Sequence, residues 1–159
     1  MAEGAFPPAD LLALKEVSVV FQARGRRLFG SVPIYALTGI SLSVRPGEVV
    51  AVVGESGSGK TTLGRVSLRL IPSTSGRVYF QGEDITQKDE ASLHTFRRHA
   101  QAIFQDPFSS LEPTMSIGQI VEEPLLIHAR ALGLPARQRR ERVLQILERM
   151  ALFPAEEFA

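Results

Sequence analysis

The sequence predicts an α/β fold, and three observations carry that prediction. Two short segments rich in β-branched residues, Val17–Phe21 and Ile40–Val44, have the composition of strands. An unbroken apolar run, Val49–Val53, is typical of a strand buried on both faces of a parallel sheet. A glycine-rich loop follows that run directly, and the pattern after the loop predicts a helix over Thr61–Ile71 that Pro72 ends.

The remaining elements of the first two thirds of the chain are shorter. Residues 1–10 contain glycine and prolines and predict a flexible lead-in. Residues 22–39, with three arginines, separate the first two strands and predict a long solvated connection. Beyond the glycine-rich loop, Arg77–Phe80 predicts a strand, residues 89–99 a short amphipathic helix, and Ala102–Phe104 a further strand.

The last third of the chain predicts helices. Ser116 has the residue type of an N-cap, and a helix is expected to about Ala131 with a kink at Pro124. Gly133 is expected to end that helix, and Pro135 to open the next one.

The second of these helices has two faces. Apolar residues at helical spacing predict a core or interface stripe: Val143, Leu144, Ile146, Leu147 and Met150. Arginines are expected to form its solvated face: Arg137, Arg139, Arg140 and Arg142. We therefore predict a flexible lead-in at 1–10, a nucleotide-binding core at 11–105 and part of a helical subdomain at 106–159.

Composition excludes several classes of function. The 159 residues are 44% hydrophobic, as expected for one globular domain, and 18 Lys and Arg balance 17 Asp and Glu. This near-neutral charge provides no footprint for nucleic acid, so no nucleic-acid partner is expected. The absence of cysteine excludes a disulfide framework, and three scattered histidines make no metal cluster. With no secretory signal and no run near the ~20 apolar residues of a membrane span, we expect a cytoplasmic protein.

The glycine-rich loop has the spacing of a phosphate-binding loop, the Walker A motif. It satisfies G-x-x-x-x-G-K-[ST] at every fixed position, through Gly54, Glu55, Ser56, Gly57, Ser58, Gly59, Lys60 and Thr61. Gly57 and Gly59 let the backbone turn so that N–H groups face phosphate oxygens, and the following helix N-terminus adds its dipole. The motif predicts a nucleoside triphosphate site.

Three side chains at the end of the loop have expected roles. Lys60, a catalytic candidate, would contact the β- and γ-phosphates, and the Thr61 hydroxyl would bind Mg²⁺. Thr62 would donate to the α-phosphate. Because no N-K-x-D segment for reading guanine occurs, we expect ATP with Mg²⁺ rather than GTP.

Four stretches together resemble the ATP-binding subunits of ABC transporters. They are ISLSVRPGEVVAVVGESGSGKTT, SGRVYFQGEDIT, FRRHAQAIFQDPFSSLEPTMSIGQIVEEPL and the basic helix that leads to MALFPAEEF. The segment IFQDPFSSLEP resembles the sequences of the branch that imports dipeptides, oligopeptides or nickel. The resemblance implies a P-loop NTPase core of the ABC ATPase type, with an N-terminal antiparallel β subdomain and the start of a helical subdomain.

The resemblance also implies roles for residues outside the loop. Gln105 matches the family's Q-loop glutamine, which contacts Mg²⁺ or the attacking water and counts here as a catalytic and metal-binding candidate. Phe21 matches the aromatic residue that stacks on adenine, with Tyr35 as a second candidate. Pro107–Met115 corresponds to the segment that meets the coupling helices of transmembrane permease subunits.

Some elements of the family are not found in these residues. The chain contains no LSGGQ-like segment, no apolar strand that ends in Asp-Glu and no switch histidine. By the resemblance, the chain is expected to be the N-terminal portion of a longer subunit, with Val49–Val53 left at an unpaired apolar edge. We expect it to bind ATP·Mg²⁺ weakly and to hydrolyse it negligibly, although the family is one of ATPases.

The resemblance gives a location and partners, and it leaves alternatives open. The intact subunit would lie on the inner face of the cell membrane, bound to permease subunits, and would pair head to tail with a second ATP-binding subunit. The leading function is that of the ATP-hydrolysing subunit of an importer of peptides or nickel. A non-catalytic nucleotide-binding fragment and an ABC-type ATPase acting on nucleic acid are the alternatives.

Overall fold

The computed structural model describes residues 10–24, 31–106 and 111–159. It divides into two compact units, Met1–Gln101 and Ala102–Ala159. Of the predicted lead-in, Asp10 alone falls among the described residues, and it is buried. The predicted domain bounds at 11–105 and 106–159 stay predictions.

The first unit is built on an antiparallel sheet of four strands. These are β1 (Leu12–Arg24), β2 (Ser31–Val44), β3 (Ser75–Phe80) and β4 (Glu83–Asp84). Their order across the sheet is β2-β1-β3-β4, and every pair is antiparallel. The three strands predicted at Val17–Phe21, Ile40–Val44 and Arg77–Phe80 lie within β1, β2 and β3, and the antiparallel β part of the predicted fold is confirmed.

The first two strands are longer than the sequence predicts. Gln22 pairs with Pro33, and Arg24 pairs with Ser31, so most of the predicted connection at 22–39 is strand. Residues 25–30 of that connection lie outside the described part of the chain. The pairing was missed because backbone hydrogen bonds extend a hairpin without requiring an apolar pattern, and Val32 and Ile34 remain more than half exposed.

Helix α1 (Lys60–Ser67) covers one face of this sheet. Its Leu63 and Val66 are buried in a core shared with sheet residues and with the chain that follows β4. The other buried members of that core are Leu14, Val17, Val19, Leu37, Val78, Phe80, Ile85, Leu93 and Phe96. The helix that follows the glycine-rich loop is therefore held by its apolar side.

Two predicted strands are absent, and these predictions were wrong. The run Val49–Val53 forms no strand in the described structure, and Val49 and Val53 are 94% and 92% exposed. Ala102–Phe104 forms none either, and Ile103 is 97% exposed. A strand of a parallel sheet needs neighbours for its backbone hydrogen bonds, and no described segment pairs with either run.

Two helices of the first unit are shorter than predicted. Helix α1 ends at Ser67 instead of Ile71, because Arg69 takes a left-handed conformation with φ of 53°. Helix α2 (His94–His99) begins five residues later than the predicted helix at 89–99. Asp89 accepts a hydrogen bond from the Ser92 amide, and this local turn occupies the residues before α2.

The second unit is helical. It contains α3 (Ile117–Ile127), α4 (Ala129–Leu132), α5 (Ala136–Arg149) and a 3₁₀ turn at Ala155–Glu157. Ser116 caps α3, as predicted, and Gly133 ends α4 with φ of 61°. The helix expected to run to Ala131 is interrupted at His128 rather than at Pro124, which lies inside α3.

Helices α3 and α5 share a small core. Val143 and Leu147 of α5 are buried with Ala155. Met150 was predicted to belong to the same apolar stripe, but it is 71% exposed. Arg139 is not on a solvated face, contrary to prediction. Its Nε donates to Glu122 Oε1 of α3 at 3.2 Å, because the side chain turns towards the neighbouring helix.

Candidate nucleotide-binding site

The glycine-rich loop has the backbone that its motif predicts at two positions. Gly57 and Gly59 have φ of 84° and 91°, in the left-handed region that favours glycine. Between them the Ser58 amide donates to the Glu55 carbonyl at 3.2 Å, which closes a turn. The chain then enters α1 at Lys60. The loop therefore delivers the chain into a helix through a tight, glycine-dependent turn.

Gly59 is further constrained by the sheet behind it. A Cβ atom at this position would lie 2.5 Å from the Ala36 carbonyl oxygen and 3.0 Å from Leu37 Cδ2, both in β2. Real Cβ atoms do not approach a backbone oxygen so closely. The backbone at Gly59 thus packs closely against β2, with no room for a side chain.

The Lys60 side chain folds back into the loop. Its ammonium donates to the Gly54 carbonyl at 2.7 Å, to the Glu55 carbonyl, and to Ser58 Oγ at 3.3 Å. All three acceptors are neutral, so they hold the ammonium in place without cancelling its charge. A cation held in this way is available to an anion that approaches the loop.

The start of α1 carries no cap of its own. Gly59 provides no side-chain hydrogen bond, and no acidic residue occupies the first turn. The first amides of a helix lack intrahelical acceptors, and here they belong to residues Lys60, Thr61 and Thr62. Together with the ammonium and two threonine hydroxyls, these donors make a site suited to a phosphate group.

The donor set also fits a magnesium ion bound together with phosphate. The described residues hold no group of three or more His, Cys, Asp or Glu that could bind a metal by themselves. The Thr61 hydroxyl is an oxygen ligand on an exposed residue at the start of α1. Magnesium is commonly held by one or two protein oxygens with substrate phosphates and water, so this arrangement is compatible with the predicted cofactor.

Gln105, the remaining predicted catalytic residue, belongs to the second unit. It is exposed, and it follows the unpaired run Ala102–Phe104. Lys60 and Thr61 belong to the first unit. Of the predicted docking segment, residues 107–110 lie outside the described residues, and Leu111 is 45% exposed.

The register of β1 and β2 separates the two aromatic candidates. Val19 pairs with Leu37, whose Cδ2 would lie 3.0 Å from a Cβ atom at Gly59, and Phe21 is two residues further along β1, on the same face. Tyr35 pairs with Val20, on the opposite face, because the register shifts between Val19 and Val20. Phe21 is 44% exposed, and its contact with adenine stays a prediction.

Sequence reasoning missed the contact between the loop and Ala36. No local pattern marks it, because the contact is made by a backbone oxygen from a strand 23 residues earlier than Gly59. The strand-like composition around Ala36 was a signal for this contact. These residues were instead predicted to lie in a long solvated connection.

The comparison with protein families agrees with the geometry of this loop. The profile of the ABC transporter family matches residues 37–158, which is most of the chain. The chain belongs to the ABC transporter family. The predicted recognition and fold class are thereby confirmed at the level of the family.

Individual relatives of this ABC chain are ATP-binding proteins. The glutathione import ATP-binding protein GsiA of Escherichia coli is 42% identical over 121 residues, which are 76% of this chain and 19% of GsiA. GsiA of Shigella boydii gives the same identity and coverage. The chain thus spans about a fifth of the length of these curated relatives.

Solved ATP-binding cassettes share the fold. The cassette MJ0796, in a dimeric post-hydrolysis state bound to ADP and Pi, has a TM-score of 0.68 and 30% identity. The match covers 86% of this chain and 56% of that one. A nucleotide-free cassette from an ABC transporter matches with a TM-score of 0.60 and 28% identity, over 90% of this chain and 55% of its own.

Among the helices that the structure describes, none has both the length and the apolar character needed to cross a bilayer.

Proposed function

We propose that this ABC chain binds ATP·Mg²⁺ at the loop formed by residues 54–62. The observation that carries the proposal is the junction of loop and helix. Two left-handed glycines lead into the uncapped N-terminus of α1, and the Lys60 ammonium lies inside the loop against neutral oxygens. An anion with several oxygens would satisfy the helix amides and the ammonium at once.

Each residue of the loop has a role in this proposal. The backbone from Gly54 to Gly59 would wrap the β-phosphate, with Glu55, Ser56 and Ser58 contributing their amides. Lys60 would exchange its loop carbonyls for oxygens of the β- and γ-phosphates, and Thr62 would donate to the α-phosphate. Bound Mg²⁺ would neutralise charge on the phosphates, with Thr61 as its protein ligand. Phe21 would stack on the adenine.

We propose further that the 159-residue chain hydrolyses ATP negligibly. In-line attack on a γ-phosphate requires a positioned water and compensation of developing charge. Lys60 would supply charge, and Gln105 would contact the water or the metal, but the 159 residues include no LSGGQ-like segment and no apolar strand that ends in Asp-Glu. No cluster of carboxylates able to hold a metal occurs in the part of the chain that the structure describes.

The wider function that we propose is that of an importer subunit. GsiA, with 42% identity, is named as an import ATP-binding protein, and the sequence IFQDPFSSLEP resembles the peptide and nickel branch. The subunit would lie on the cytoplasmic face of the membrane and contact permease subunits through residues 107–115. A second ATP-binding subunit would pair with it head to tail, and the MJ0796 cassette is dimeric in its own structure.

The proposal is tested by equilibrium binding of a fluorescent ATP analogue to the chain with Mg²⁺. Lys60→Ala is expected to weaken binding on the order of a hundredfold, because a charge-assisted contact to the phosphates is lost. Lys88→Ala is the matched control, because this substitution also removes one positive charge. Lys88 pairs with Glu83 and is far from the loop in sequence. Equal affinity of the wild type and the Lys60 variant would refute the proposal.

A further inference from the structure

The C-terminal end of α1 is closed in an unusual way for a helix that ends without glycine. The Leu70 amide donates to the Arg65 carbonyl at 2.9 Å, and the Arg69 amide donates to the Val66 carbonyl at 3.0 Å. These are the two hydrogen bonds of a Schellman motif, in which the left-handed position is normally glycine. Here Arg69 occupies it with φ of 53°. A strained residue of this kind persists only where its surroundings hold it.

Arg97 of α2 makes the contacts that hold Arg69 in this conformation. Its guanidinium donates to the Leu68 carbonyl through one terminal nitrogen and to the Arg69 carbonyl at 2.9 Å through the other. Glu90 Oε1 orients the same guanidinium at 3.0 Å, and the Arg97 side chain is about one quarter exposed, at 26%. One side chain therefore binds two successive carbonyls at the end of α1.

Arg69 makes the reciprocal connection. Its Nε donates to the Ile85 carbonyl at 2.9 Å, and a terminal nitrogen reaches the Lys88 carbonyl at 3.4 Å. The end of α1 is thus bound to the segment before α2 through Arg69 and to α2 itself through Arg97. Phe96, the neighbour of Arg97, is 3% exposed in the core that also holds Leu63 and Val66 of α1, which anchors α2 itself.

We propose that Arg97 is a positioning residue for the phosphate site, acting through α1. The helix has eight residues, about 12 Å of rise, so a shift of its C-terminus moves the amides at its N-terminus. The guanidinium also complements the negative end of the helix dipole. This inference rests on the proposed ATP binding at the loop, and it adds that the affinity depends on a residue far along the chain from it.

The test compares Arg97→Gln with Arg98→Gln in the same binding assay. Arg98 is adjacent and exposed, and its change removes the same charge. We expect Arg97→Gln to weaken ATP binding about tenfold, through loss of charge-assisted hydrogen bonds, and Arg98→Gln to change it less than about twofold. Arg97→Lys keeps the charge with a single donor group, and it is expected to restore part of the affinity.

A core variant separates positioning from stability. Val78→Ala removes buried volume from the sheet, and it should destabilise the fold while it leaves the affinity of the folded protein unchanged. The inference would be overturned if Arg97→Gln bound ATP with wild-type affinity. It would also be overturned if Val78→Ala lost as much affinity for ATP as Arg97→Gln. If Arg97→Gln does not fold, Arg97→Lys decides the matter, with wild-type affinity again contradicting the inference.

Hydrogen exchange distinguishes this inference from the proposed function. Amides of α1 from Leu63 to Ser67 are expected to exchange faster in Arg97→Gln than in Arg98→Gln, without nucleotide. Failure of the wild type to bind ATP would refute the proposed function and the positioning role together. Binding by the wild type with unchanged α1 exchange and affinity in Arg97→Gln would refute the positioning role alone.

Discussion

The first helices of the two units, α1 and α3, begin in opposite ways. Helix α3 has a capping box, in which Ser116 Oγ accepts from the Gln119 amide at 3.2 Å and Gln119 Oε1 accepts from the Ser116 amide at 2.8 Å. Helix α1 begins at Gly59 with no side-chain cap. A side-chain cap thus satisfies amides at the start of α3, whereas the start of α1 has no such cap.

The comparison concerns the stability that a short helix loses when its N-terminus has no side-chain cap. An N-cap contributes about 1 kcal/mol, and α1 forgoes it. The helix is held by its buried side, through Leu63 and Val66, and by the Arg97 contacts at its C-terminus. The stability of α1 therefore comes from packing and from its C-terminal end, and under the proposed function its N-terminal donors bind phosphate.

The largest effect is expected from Gly59→Ala. The added Cβ would meet the Ala36 carbonyl at 2.5 Å, at a residue with φ of 91°. We expect the free energy of unfolding to fall by about 3 kcal/mol, measured by urea denaturation, and ATP binding to be lost with the loop geometry.

Gly57→Ala is the matched control for that prediction. Its φ is 84°, but no atom lies within 4 Å of the position of a Cβ. The loss in unfolding free energy should be about 1 kcal/mol, from the backbone conformation alone. Equal losses at the two glycines would show that the contact between loop and β2 does not constrain Gly59.

A smaller effect is expected from Ser116→Ala. It removes the acceptor for the Gln119 amide, and we expect the unfolding free energy of the helical unit to fall by about 1 kcal/mol. Affinity for ATP should not change. Ser116→Asn, which keeps a capping acceptor, is the control. If Ser116→Ala weakened ATP binding and Ser116→Asn did not, the proposed difference between the starts of α1 and α3 would be contradicted.

The smallest effect concerns Asp89, which caps the turn before α2. Hydrogen bonds from the Ser92 side chain and amide lower the pKa of the Asp89 carboxyl. A depressed pKa means that the contribution to stability is present above the unfolded pKa and is lost as pH falls through the folded value. Titration by NMR should show the low pKa, and Ser92→Ala should raise it. An unchanged pKa in that variant would exclude the Ser92 hydroxyl as its cause.

Much of the site was predictable because its determinants are local. The spacing of Gly54, Gly59 and Lys60 predicts a loop that enters a helix, and the structure contains that junction. Ser116 and Gly133 were predictable for the same reason, since caps depend on residues within one turn.

The features that the sequence did not predict depend on distant partners. Val49–Val53 has the composition of a central strand, but composition does not provide the neighbours that a strand needs. The contacts of Arg97 with Leu68 and Arg139 with Glu122 join residues 29 and 17 positions apart, and no periodicity marks them.

Hydrogen exchange of the wild-type chain, with and without ATP·Mg²⁺, tests the central claim most directly. With saturating ATP·Mg²⁺ we predict that the amides of residues 57–62 exchange slower by on the order of tenfold or more, and that those of Ile117–Gln119 in the capped helix do not change. Unchanged exchange at the loop, or equal slowing at both helix starts, would contradict the assignment of α1 as the phosphate-binding helix.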